Sequence, residues 1–168
     1  MLERFRALGG AQSYPSRTKD ADGVESHGTL YTRGFETCVA LMMHPRGDMQ
    51  RHYAMPRLLE AGIATFGQAG RFINNDVTLS HERIIVDIAA AVRQLKDRGF
   101  RKIVLLGNSG GGALYSFYQS QAQTSPPGRL VDTAAGDHLG YGPGGNRDRS
   151  GQNAALDVIV PWIKERFA

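Results

Sequence analysis

Cysteine is nearly absent: Cys38 is the single thiol in 168 residues. One thiol excludes an internal disulfide and any cysteine-built zinc cage. Its place in an apolar run reads as a small buried hydrophobe. No stretch of about 20 apolar residues occurs, so no segment reads as a membrane span. The start, Met1-Leu2-Glu3-Arg4-Phe5-Arg6, lacks the apolar core of a signal peptide. The expected setting is the cytoplasm. Basic runs are missing too. Net charge is only +4, and the densest cluster, Arg98, Arg101 and Lys102, reads as a solvated face and not as a nucleic-acid surface. No internal repeat occurs.

Glycine is abundant. The chain has 21 of them, well above the usual ~7% of residues. Without a G-X-Y period this is not collagen, and the excess points to tight turns and close backbone approaches. Hydrophobic residues make 41% and charged residues 21%, a globular balance. The length predicts a single domain.

Residues 1–26 are polar and read as an irregular lead-in. Residues 29–32 suit a short strand. The first strong strand is 37–43, Thr-Cys-Val-Ala-Leu-Met-Met, continuously apolar as a strand covered on both faces should be. A turn, His44-Pro45-Arg46-Gly47-Asp48, ends it. Pro56 suits the first turn of a short helix that Gly62 stops. Residues 63–66 are a second strand and 67–76 a loop. Asp76 or Thr78 is the expected cap of the next helix, which runs over 79–98 with Ile84, Ile85, Ile88, Val92 and Leu95 on one stripe. A third strand is 102–106 and a further helix 113–122. Residues 123–153 are loop-rich, and 154–167 carry a last helical pattern that Pro161 interrupts or restarts. Strands alternating with helices predict an α/β fold, a parallel sheet flanked by helices.

The motif that carries chemistry is Gly107-Asn108-Ser109-Gly110-Gly111, a G-x-S-x-G between an apolar strand and a helix. Such a turn holds a serine in a strained conformation. Small neighbours let strand and helix approach, and the Gly110 N–H at a helix start favours an oxyanion. The loop at 44–47 can aim a second N–H at the same oxyanion. Pro45 has none, so the donor is Arg46 or Gly47.

With these pieces the chain resembles the α/β-hydrolase family, serine esterases and lipases among them. The resemblance rests on strand–His44-Pro45-x-Gly47, strand–Gly107-x-Ser109-x-Gly111–helix, and Gly136-Asp137-His138 ahead of a last helix. It implies Ser109 as nucleophile, His138 as base, and an acid between them in chain order. Arg46 or Gly47 and Gly110 would supply the oxyanion amides. It calls for no cofactor and no metal, and implies a small acyl substrate. His27 and His81 have no motif context. His44 is placed as structural, and His52 at the mouth of a pocket.

The family pattern is short here. Only 28 residues (110–137) separate Ser109 from His138, less than the roughly 30 or more of one strand–helix–strand unit. Asp132 is the acid that fits the order. Asp137 adjoins His138, and neighbouring side chains diverge. The chain reads as a hydrolase with an internal segment missing, which would leave a bare sheet edge and favour a homodimer across it. Two functions follow: hydrolysis of a carboxylic ester through an acyl-enzyme on Ser109, or an impaired remnant serving as a binding or interaction module. Acyl transfer would use the same serine.

Other patterns fail. Gly140 to Gly145 satisfies G-x-G-x-x-G but follows no strand and carries Pro143. His81-Glu82 lacks the second histidine of a zinc pair, since Ile85 stands there. Asp76, Glu82 and Asp87 read as helix caps and solvated face, and Arg71, Asn74 and Asn75 as plain loop chemistry.

Overall fold

Strands β1 (Gln12–Lys19), β2 (Glu25–Thr32), β3 (Cys38–Met42), β4 (Ala64–Ala69) and β5 (Lys102–Leu105) form one sheet in the order β1-β2-β4-β3-β5. The computed structural model describes residues 10–121 and 149–167. Its helices are α1 (Met55–Glu60), α2 (His81–Asp97), α3 (Gly110–Gln121) and α4 (Ser150–Phe167). The chain divides into two compact units, Met1–Thr124 and Ser125–Ala168. The first holds the sheet with α1 to α3; the second holds α4.

Strands β4, β3 and β5 are parallel, as the alternation of strands and helices predicts. An antiparallel hairpin, β1 on β2, is added beside β4. Strand β3 is buried at every position, which explains its unbroken apolar run. One of its faces, with Val39 and Leu41, shares a core with Phe66 of β4, with Ile84, Ile88, Ala91 and Leu95 of α2, and with Leu114 and Tyr115 of α3. On the other face of the sheet α1 packs on β4. There a Cβ on Gly67 would lie 2.5 Å from Met55 Cε and 2.0 Å from the Met49 carbonyl oxygen, so only glycine fits.

The expected irregular lead-in over 1–26 is corrected by β1 and by the start of β2. The strand escapes hydropathy because hydroxyls, not hydrocarbon, fill its buried face. Ser16 and Thr18 donate to Gln94 Oε1 of α2 at 3.2 and 3.0 Å, and Gln94 Nε2 donates to the Arg17 carbonyl at 2.8 Å. Pro15 is tolerated because β1 pairs on one side only. Strand β4 also runs past residue 66, through Gly67 and Gln68. Gln68 is buried and donates to Ser26 Oγ at 2.5 Å. Helix α2 is capped by Ser80, in place of Asp76 or Thr78. Ser80 is extended (φ −131°) and its Oγ accepts the Arg83 N–H at 3.4 Å. Helix α3 begins at Gly110, inside the glycine motif and three residues before the expected start.

In the second unit α4 continues through Pro161. The Trp162 and Phe167 rings meet edge to face at 5.7 Å, and the Arg166 guanidinium lies 5.0 Å from the Trp162 ring centre. Among the described residues, no helix is long and apolar enough to cross a membrane.

Candidate active site

The sheet topology brings two loops together. After β3 the chain crosses to one face through α1, whereas after β5 it crosses to the other through α3. The C-terminal ends of the adjacent strands β3 and β5 therefore form a switch point, where open α/β sheets bind ligands. The loop 43–54 leaves one of these ends and the G-x-S-x-G turn leaves the other.

At that turn Ser109 has φ +53°, the left-handed region that side chains avoid. Holding a residue there costs about 1–3 kcal/mol, so the surroundings must impose it. The Gly111 N–H donates to the Asn108 carbonyl and the Gly112 N–H to the Ser109 carbonyl, each at 2.9 Å. These bonds wind the chain directly from β5 into α3. A Cβ on Gly107 would sit 2.6 Å from backbone atoms of Gly111 and Gly112, and one on Gly111 would sit 2.5 Å from the Met43 carbonyl oxygen. The two glycines let helix and strand close to a distance no side chain permits. The Leu106 N–H and the Tyr115 hydroxyl both donate to the Leu41 carbonyl at 2.9 Å, tying β5 and α3 to β3. Ser109 is left exposed. The Gly110 N–H opens the first turn of α3, where the helix itself offers no acceptor.

The loop after β3 packs on this turn. His44 Nε2 stands 3.1 Å from where a Cβ on Gly110 would be, and Pro45 Cδ stands 3.4 Å from it. The Arg46 and Gly47 amides both donate to His44 Nδ1, at 3.3 and 3.1 Å. A neutral ring that accepts at Nδ1 carries its proton on Nε2. Thus the two amides named from the sequence lie beside the serine turn and are turned onto one imidazole nitrogen. The loop is braced from outside by the Asn74 N–H, which donates to the Arg46 carbonyl at 3.0 Å, and by an Arg46–Asp76 ion pair at 2.7 Å.

Solved structures share the fold. An esterase of Pyrococcus furiosus superposes with a TM-score of 0.58 at 18% identity, over 70% of this chain and 48% of its own. The brefeldin A esterase, a bacterial homologue of human hormone sensitive lipase, gives 0.56 at 18%, over 68% and 36%. An esterase from Exiguobacterium antarcticum gives 0.51 at 21%, over 64% and 40%. Over the aligned part the fold is the α/β-hydrolase fold. The chain spans about half the length of the Pyrococcus esterase. It matches no protein-family profile and no curated protein sequence.

Within this hydrolase fold, two residues read as surface chemistry are interior. Arg71 donates through Nε and Nη2 to Asp87 Oδ1 at 2.9 and 2.7 Å, and its backbone N–H donates to Oδ2 at 3.0 Å. It also pairs with Asp20 in the β1–β2 turn. The side chains of Arg71 and Asp87 are 7% and 1% exposed, which corrects Asp87 from solvated face to buried ion pair. Burial pushes the Asp87 carboxyl up, against the pull of Arg71. Glu82, by contrast, is exposed and accepts the Ser80 hydroxyl at 2.8 Å.

His52, expected at a pocket mouth, is also buried, at 8% exposure. Its Nδ1 accepts the Ala54 N–H at 3.3 Å and its Nε2 has no partner. Burial pushes the imidazole down to about 4, so it is neutral at pH 7. The neighbouring Tyr53 hydroxyl accepts from Asn108 Nδ2 at 3.3 Å. No motif signals that contact. His138 and Asp132, and the glycine run at 140–145, lie outside the described residues.

Proposed function

We propose that the protein is a serine hydrolase that cleaves a carboxylic ester through an acyl-enzyme on Ser109. The observation carrying this reading is the exposed Ser109 at φ +53°, between β5 and the first turn of α3. Esterases among the structural neighbours favour the same chemistry.

In this reading Ser109 Oγ attacks the ester carbonyl and its proton passes to His138, which Asp132 orients. The carbonyl oxygen becomes an oxyanion that accepts the Gly110 N–H and that of Arg46 or Gly47. Those last two amides share one imidazole nitrogen at 3.1–3.3 Å. A developing anion is the stronger acceptor and draws an amide away from it. One such donor is worth about 3–4 kcal/mol in the transition state. The tetrahedral species then expels the alcohol, which takes the proton from His138. Water repeats the sequence to release the acid. The whole chain acts as one hydrolase-like domain, shortened between nucleophile and base.

The short stretch between Ser109 and His138, 28 residues where one strand–helix–strand unit takes about 30 or more, supports a second reading: a remnant that binds a partner and no longer turns over esters. A fluorophosphonate probe separates them. Wild-type protein should form a covalent adduct at Ser109, and Ser109→Ala should form none. A folded wild-type sample that stays unlabelled would leave the remnant.

A further inference from the structure

The loop after β3 makes a second contact with the serine turn, one that the glycine motif does not predict. Asn108 immediately precedes Ser109, and its carbonyl already holds the Gly111 N–H at 2.9 Å. Its side chain is tied as well, Nδ2 donating to the Tyr53 hydroxyl at 3.3 Å. Both ends of Asn108 are therefore restrained. The orientation of the Asn108–Ser109 peptide sets where Ser109 Oγ points.

Tyr53 is itself well held. Its ring lies on that of His52, with centroids 4.3 Å apart and planes inclined by 35°. His52 is buried, and residues 54 and 55, which lead into α1, are 1% and 0% exposed. A hydroxyl mounted on so rigid a base can transmit position, which a mobile surface tyrosine cannot. Burial raises the Tyr53 phenol, so it stays protonated and neutral as a partner for the amide.

We propose that Tyr53 is a positioning residue for the nucleophile, its hydroxyl fixing Asn108 and through it the left-handed turn that aims Ser109 Oγ. This inference rests on the serine hydrolase reading. It adds a residue 56 positions upstream of the serine to the machinery of that site.

The test is the inactivation kinetics of a fluorophosphonate, resolved into the maximal rate kinact and the half-saturation constant KI. Tyr53→Phe keeps the ring and removes only the hydroxyl. The expected result is a fall in kinact of roughly 2- to 10-fold, the range of a single net hydrogen bond, with KI and Tm unchanged. Asn108→Ala should give a fall of similar size, and the double variant should be no slower than the slower single one. Tyr14→Phe, on the exposed side of β1, serves as control. A wild-type kinact in Tyr53→Phe, or losses that multiply in the double variant, would overturn the proposal. The side-chain amide of Asn108, followed by NMR, reads the tether independently of labelling. Its signals should shift and exchange faster in Tyr53→Phe. If wild-type protein takes no label, the hydrolase reading fails alone, and unchanged Asn108 signals would sink the tether on their own.

Discussion

The hairpin end of the sheet and the serine end bury polar groups in opposite ways. Beside β1 and β2 a charged cluster is buried and paired, with Arg71 between Asp87 and Asp20, and the neutral Gln94 holds Ser16 and Thr18. Around the serine turn the buried groups are neutral. His52 has a nitrogen without a partner, and the half-buried Tyr53 and Asn108 share a single hydrogen bond. Shape does the holding there, through glycines at which no Cβ fits. Charge in the interior is tolerated only when several donors surround it. A lone imidazole is tolerated only while it carries no proton.

The sharpest way to break the contrast is at Arg71. Arg71→Met keeps most of the side-chain volume and leaves Asp87 and Asp20 unpaired. Removing one partner of a buried ion pair costs about 3–5 kcal/mol. Urea denaturation should show a loss of that size, whereas Arg46→Met, at a half-exposed pair (56% and 55%), should lose little.

The second effect separates the two ends by pH. The folded His52 titrates at about 4 and its ordinary value is 6.5. Below pH 6.5 the unfolded chain takes up a proton that the folded chain refuses. Stability from this group is complete above pH 6.5 and falls as the pH drops toward 4, by about 3 kcal/mol in all. Urea midpoints across that window should decline in the wild type and decline less in His52→Leu.

The smallest effect concerns the turn itself. In Gly107→Ala the new methyl meets backbone of α3 at 2.6 Å, which cannot rotate away. Overpacking of this kind costs about 1–3 kcal/mol. Because the strain falls on the segment that carries Ser109, fluorophosphonate labelling should fall further than the Tm alone would suggest. Equal losses in both would mean that the turn is not built around the serine.

The contrast also explains what could be read in advance. The strand at 102–105, the glycine turn and the helix after it are contiguous. Their signals are apolar β-branched residues followed by glycines at fixed spacing, and the structure returns all three. The pairing of Arg71 with Asp87 spans 16 residues and that with Asp20 spans 51. Nothing local marks either residue as interior, and both read as surface. β1 was illegible for the same reason: its buried face is hydroxyl-lined, so neither run length nor hydropathy reveals it. The Tyr53–Asn108 contact spans 55 residues and carries no spacing rule.

Sequence alone determined the alternation of strands and helices and the left-handed serine between two glycines, because steric limits on a few adjacent residues dictate both. Tertiary structure alone decided that the Arg46 and Gly47 amides face His44, that Arg71 is buried among carboxylates, and that Tyr53 reaches the residue before the serine. Those outcomes depend on which distant side chains share a dry neighbourhood, and only the assembled sheet creates it.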